Sequence, residues 1–157
     1  MKIMQVTVEV ARVEAASAEV LVLLHCEGEA LVKQDTARLD TALDGALSTL
    51  VHSKEFEGKA NEVLLYHTQG KVPAKRVVLV GLGKKSEVTT ETIRQAMGSA
   101  AKRVRQTKVE SFSVALPTLR PEGMSSLDVA QAMVEGAILG SYQFTVYRSE
   151  AASGRDV

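Results

Sequence analysis

The sequence has no tryptophan, only three prolines and a single cysteine, Cys26. One cysteine excludes an internal disulfide, so packing alone must hold the fold. Phenylalanine and tyrosine are also scarce, with aromatic residues making up 4% of the 157 positions. The core is therefore expected to be aliphatic, drawn from Val, Leu, Ala and a few Met. Neither sign of charge is in excess, because 19 Lys and Arg balance 19 Asp and Glu. A neutral chain has no overall field to draw it to nucleic acid or to an anionic membrane. No apolar run approaches the roughly 20 residues of a membrane helix. The alternating start, Met1-Lys2-Ile3-Met4-Gln5-Val6-Thr7-Val8, lacks a signal-peptide core. A one-domain protein of the reducing cytoplasm is expected, with Cys26 a buried and chemically idle thiol.

Hydrophobic spacing gives the element order. Ile3, Val6, Val8 and Val10 partly alternate, as in an opening strand, and Val20 to His25 is a continuous apolar run suited to a strand covered on both faces. A helix is expected over about Asp35–His52, with Leu39, Leu43, Ala46, Leu47 and Leu50 on one face and Asp35 or Thr36 as its cap. A turn at 56–61 precedes a strand over Glu62–Thr68. Arg76 to Val80 then forms the clearest buried strand, stopped by Gly81-Leu82-Gly83. A second helix covers Thr90–Gln106, capped by Thr89 or Thr90 and carrying Ile93, Met97, Ala100, Ala101 and Val104 along its stripe. A strand over Val109–Leu116 follows, ended by Pro117. Ser125 and Asp128 resemble a capping box for a third helix, with Leu127, Ala130, Val134 and Ile138 on its apolar face and Gly140 as its stop. Tyr142 to Tyr147 reads as extended, and 149–157 as a frayed polar tail. Strands and helices in this alternation predict an α/β domain, a mixed and mainly parallel sheet flanked by helices.

Few residues offer chemistry. Gly81-Leu82-Gly83-Lys84-Lys85, between a buried strand and a helix, could hold an anion on backbone amides and on the helix start at Thr89 and Thr90. The loop is incomplete, since Ser86 stands where a dinucleotide fingerprint has its third glycine, and Lys85 where a phosphate loop has Ser or Thr. His25, His52 and His67 lack metal-ligand spacing. Adjacent His25 and Cys26 would point to opposite faces of a strand. Asp40 and Asp44 read as solvated surface acids. The basic cluster Lys102, Arg103, Arg105 and Lys108 is a candidate phosphate contact on DNA, although a solvated helix end explains it as well. These residues alone name no activity.

Three blocks do carry a resemblance. Leu39-Asp40-x-Ala42-x-x-Gly45-x-Leu47 is followed by Phe56-x-Gly58-Lys59. Then come Arg76-Val77-Val78-Leu79-Val80-Gly81-Leu82-Gly83-Lys84 and, last, Glu135-Gly136-Ala137-x-Leu139-Gly140-x-Tyr142-x-Phe144-x-x-Tyr147. In order and spacing they resemble the N-terminal domain of leucine aminopeptidases of the cytosol aminopeptidase family over most of 1–148. One departure is Asn61, where relatives commonly carry glycine; Asn tolerates a left-handed backbone, so the turn should survive.

The resemblance implies a macro-domain-like sheet sandwiched by helices, with 1–148 a non-catalytic domain and 149–157 the start of a linker. It implies a parent hydrolase that removes N-terminal residues, often leucine, from peptides. Two divalent ions, zinc or manganese, would sit in a catalytic domain that this chain does not include, and they would activate water there. The family's Asn-Thr-Asp-Ala-Glu-Gly-Arg metal motif does not occur in the sequence, so no catalytic or metal residue carries over. The expected partners are the chain's own catalytic domain and a homo-hexamer. The implied role is assembly or regulation without peptidase activity in this segment. Two other readings remain open: a macro-like module binding nucleotide or ADP-ribose at Gly81, Gly83, Lys84, Thr89 and Thr90, and a DNA-binding domain.

Overall fold

A computed structural model of the chain describes residues 15, 18–29, 34–109, 111–115 and 123–155, with 34, 35 and 141–155 described by backbone only. The strand expected at Ile3–Val10 lies outside the described residues. The elements run β1 (Val20–Glu27), α1 (Gln34–Ala42), α2 (Ala46–His52), β2 (Val63–His67), β3 (Arg76–Lys84), α3 (Thr90–Gln106), β4 (Ser113–Val114) and α4 (Ser126–Arg155). In the sheet the strands lie in the order β2-β3-β1-β4. β1 is parallel to both β3 and β4, and β2 is antiparallel to β3. The sheet is thus mixed and mainly parallel, as the sequence pattern predicts.

Side chains alternate across each strand and build two cores. Val20, Val22, Val78, Val80 and Leu82 face α3 and α4. Leu21, Leu23, Val77 and Leu79 face the leucines of α1 and α2, together with Phe56. Both faces of β1 and β3 are covered, and this explains why these strands read as unbroken apolar runs.

Several expectations need correction. The helix expected over Asp35–His52 is two helices. The chain breaks at Asp44 and Gly45, both with positive φ (58° and 77°). Asp35 and Thr36 fall inside the first turn of α1 and do not precede it. Asp40 is a buried group, 7% exposed, and not a solvated acid. Its Oδ1 accepts from the backbone N–H of Leu47 (3.0 Å) and Ser48 (3.1 Å), and its Oδ2 accepts from the Ser48 hydroxyl (2.5 Å). Gly45 occupies the cap position of α2 and has no side chain to offer, so Asp40 supplies the cap from the preceding helix.

β3 does not stop at Gly81. It continues to Lys84, with an irregularity in its pairing opposite His25 and Cys26. β4 is only two residues long, Ser113–Val114. Finally, α4 passes through Gly140, through the stretch Tyr142–Tyr147 that the pattern reads as extended, and through 149–155.

Gly140 does not end the helix because its role is packing. A Cβ on Gly140 would lie 2.8 Å from the Cα of Gly98, and one on Gly136 would lie 2.3 Å from the carbonyl oxygen of Arg94. These glycines let α4 approach α3 closely. The face turned to the core is accordingly Val129, Ala132, Met133 and Ala137, and not the Leu127–Ile138 stripe that periodicity selects. α3 has the expected bounds and cap: Thr89 and Thr92 exchange backbone-to-hydroxyl bonds in a reciprocal box. The Ser125 box also forms, with Asp128 Oδ2 accepting from the N–H of Ser125 (3.0 Å) and Ser125 Oγ accepting from the N–H of Asp128 (3.1 Å).

Replacing Asp40 by Ala leaves the first turn of α2 uncapped inside the fold. A loss of about 2 kcal/mol is expected, read as a lower urea midpoint at unchanged slope. At Asp128, the bond from the Ser125 N–H, and then that from its hydroxyl, hold the carboxyl below its ordinary value. A lowered folded-state pKa stabilises above the unfolded value, and that contribution is lost as pH falls through the folded value. Acid titration followed by circular dichroism should therefore show an acid-side component below the ordinary aspartate range, and Asp128→Asn should abolish it.

Candidate functional site

Parallel sheets place ligand sites at the carboxyl ends of strands, where neighbouring strands send their following helices to opposite faces. β1 and β3 meet this condition. β1 leads to α1, whose leucines lie on one face, and β3 leads to α3 on the other. The anion candidates Gly81, Gly83 and Lys84 stand at this end of β3, and Thr89 and Thr90 begin the following helix.

The segment 56–62 closes over the end of the strand pair. The Gly81 N–H donates to the carbonyl of Glu62 (2.8 Å), the Asn61 N–H donates to the carbonyl of Gly81 (3.0 Å), and the Gly83 N–H donates to the carbonyl of Gly58 (2.9 Å). Contact here is backbone on backbone: a Cβ on Gly81 would lie 1.9 Å from the Lys59 carbonyl oxygen. Gly83 holds φ of +79°, a conformation that favours glycine. On the β1 side, a Cβ on Gly58 would press against the backbone of Cys26 and Glu27, at 3.0 to 3.1 Å. Asn61 has φ of 63°, so the left-handed turn expected of it is present.

A carboxylate organises this segment. Glu62 Oε1 accepts three backbone N–H groups, from Glu57 (3.1 Å), Gly58 (2.9 Å) and Lys59 (3.1 Å). Successive amides converging on one oxygen form an anion nest, and here the chain's own side chain occupies it. Glu57 pairs with Lys59 at 3.0 Å, and its hydrogen bond holds that exposed ammonium above the usual lysine value. Sequence reasoning assigns Glu62 only to a strand start. The one available signal was a carboxylate soon after the Gly58 turn.

The amides of Gly81 and Gly83 are thus engaged by the chain itself. Lys84 is exposed, and a 3-10 turn at Lys85–Glu87 leads to α3. The Thr89 N–H donates to the Thr92 hydroxyl (3.1 Å). His25 is buried with its ring 6.0 Å from that of Phe56, while half-buried Cys26 packs on the opposite face. His52 and His67 are exposed. Among the described residues no group of three or more His, Cys, Asp or Glu is arranged to hold a metal ion. Lys102, Arg105 and Lys108 are exposed along the end of α3, and the guanidinium of Arg103 donates to Gln106 (3.2 Å). Because α3 runs back along the sheet, this cluster lies at the opposite end from the glycines.

The model of the cytosol aminopeptidase family, N-terminal domain, matches residues 13–151. The chain belongs to this family. A probable cytosol aminopeptidase of Geobacter sp. (strain M21) is 44% identical over 112 residues, which cover 71% of this chain and 22% of the relative. The corresponding protein of Geobacter sulfurreducens is 35% identical over 147 residues, covering 94% of this chain and 29% of the relative. The chain therefore spans between a fifth and a third of the length of these curated members of the family. Among solved structures, the macrodomain of Mycobacterium tuberculosis DarG superposes with a TM-score of 0.66 at 16% identity, covering 83% of this chain and 88% of that one. A mutant tomato leucine aminopeptidase gives 0.63 at 23%, covering 80% and 26%. The likeness to these structures is one of fold: the domain is macrodomain-like.

Glu62→Ala should strip three amides of their acceptor and cost about 1–3 kcal/mol, whereas Glu62→Gln keeps an acceptor oxygen and should cost less. Parallel urea titrations check the order.

Proposed function

We propose that this domain is a non-catalytic accessory domain of a metal-dependent leucyl aminopeptidase, acting in assembly of the enzyme or in access to its active sites. The observation that carries this reading is the match of 13–151 to the family's N-terminal domain, with the chain spanning only 22% and 29% of the two Geobacter relatives. The likeness to a leucine aminopeptidase in fold agrees with it. In this reading the parent enzyme is cytoplasmic and hexameric, and its two zinc or manganese ions, with every residue that binds them, belong to the peptidase part. Among the described residues no helix is long and apolar enough to cross a membrane.

The filled end of the β1–β3 pair supports a structural role over nucleotide binding. An incoming phosphate would compete with bonds that the Gly81 and Gly83 amides already make, and with a tethered carboxylate on the nest. A macro-like nucleotide site at Gly81, Gly83, Lys84, Thr89 and Thr90 would need that segment to move.

The purified chain should hydrolyse a leucine anilide no faster than buffer, with or without added manganese or zinc. A metal-dependent rate would overturn the reading. Calorimetric titration with ADP-ribose should stay flat at millimolar ligand, and a saturating isotherm would favour the nucleotide-binding module. A gel shift at low salt that fades steeply as salt rises would instead assign Lys102, Arg103, Arg105 and Lys108 to DNA phosphates.

A further inference from the structure

Over 126–140 α4 has two apolar faces, and among the described residues the core uses one. Val129, Ala132, Met133 and Ala137 turn towards α3 and the sheet. On the far side of the same helix, Leu127, Val134 and Ile138 fall at spacings of seven and four residues and share a second stripe. Leu127 is 75% exposed, Ile138 44%, and the flanking Leu139 50%. Among the described residues these three are the large hydrophobic side chains that stand exposed, and all lie on α4. The stripe is also free of charge. Over 126–140 only Asp128 and Glu135 are ionisable; Asp128 is bound to Ser125 at the helix start, and Glu135 meets Arg94 at 3.5 Å. An uncharged apolar helix face in water marks a surface meant to be covered.

We propose that the Leu127–Val134–Ile138 stripe is the seat of the peptidase part that follows this domain in the full-length relatives. The proposal rests on the accessory-domain reading above. Two observations choose this occupant. The curated relatives carry most of their length outside the matched region, and the matched region is the family's N-terminal domain. The match to the family's N-terminal domain ends at 151, within α4, so in the relatives the remaining chain departs from the helix that bears the stripe. Size gives a second argument. A handful of side chains supplies far less than the ~800 Å² per partner of a stable interface between separate proteins. A tethered partner needs no such area, because the linkage raises its effective concentration.

The test fuses this chain to the remainder of the Geobacter sulfurreducens aminopeptidase in place of that enzyme's matched segment. In a Cys26→Ser background, Leu127→Cys, Ile138→Cys and the α3 control Gln95→Cys are each labelled with a polarity-sensitive fluorophore. Emission from 127 and 138 should shift to the blue in the fusion relative to the chain alone, with no shift at 95. As an independent measurement in the native-cysteine background, the pair Leu127→Lys and Ile138→Lys should leave the Tm of the chain alone unchanged and lower that of the fusion. Unshifted labels, or equal Tm values for the fusion with and without the lysines, would overturn the proposal. So would a blue shift in the chain alone that grows with its concentration, because the occupant would then be a second copy. Leucine anilide hydrolysis is scored separately: buried labels in an inactive fusion would keep the docking surface and count against the accessory role alone.

Discussion

The parallel ladder between β1 and β3 is the constraint on which the other layers depend. Parallel strands cannot be joined by a hairpin, so the chain must leave the sheet and return. From β1 it does so through α1 and α2 before re-entering the sheet as β2, and from β3 to β4 it does so through α3. Val20, Leu21, Val22, Leu23 and Val77 to Val80 are at most 2% exposed, so neither face of the pair meets water. An aliphatic sheet of this kind is stable only while both helical layers remain in place. With so few aromatics and no disulfide, nothing else substitutes for that double cover.

The same pairing creates a place where a ligand would be sought, and there, among the described residues, the 56–62 segment lies across the strand ends. The 56–62 segment lies so close to Gly81 that a side chain there would meet the Lys59 carbonyl, while at Gly83 it is the positive φ that disfavours a side chain. The glycines that suggest a phosphate cradle in the linear sequence serve an intramolecular contact in the folded one. A shared fold need not bring a shared site, and the likeness to macrodomains describes the scaffold.

Much of this architecture was legible in the sequence because hydrophobic periodicity records burial directly. β1, the bounds of α3, its Thr89 cap and the Ser125–Asp128 box follow from local pattern and capping chemistry. What escaped depends on tertiary partners. The break between α1 and α2 keeps the leucine spacing on both sides, so the pattern runs through Asp44 and Gly45 without a visible interruption. Gly140 reads as a stop because its packing partner, Gly98, is forty-two residues away. In α4 both faces have helical spacing, and the larger side chains outweigh the small ones that make the closer contact. The roles of Asp40 and Glu62 are likewise invisible locally. A carboxylate in a polar stretch looks solvated until the fold brings backbone amides onto it. The family resemblance located the domain and carried Asp40 in its first block, but it gave no sign of what Asp40 does and none of Glu62.

The reach of Asp40 from α1 into α2 also shapes the motions of the domain. Two helices of nine and seven residues are each too short to persist alone. Their shared carboxylate means that fraying of α1 removes the acceptor from the Leu47 and Ser48 amides, while melting of α2 leaves a buried charge without its donors. The two helices are therefore expected to open as one cooperative unit, a single foldon whose protected hydrogens exchange in concert.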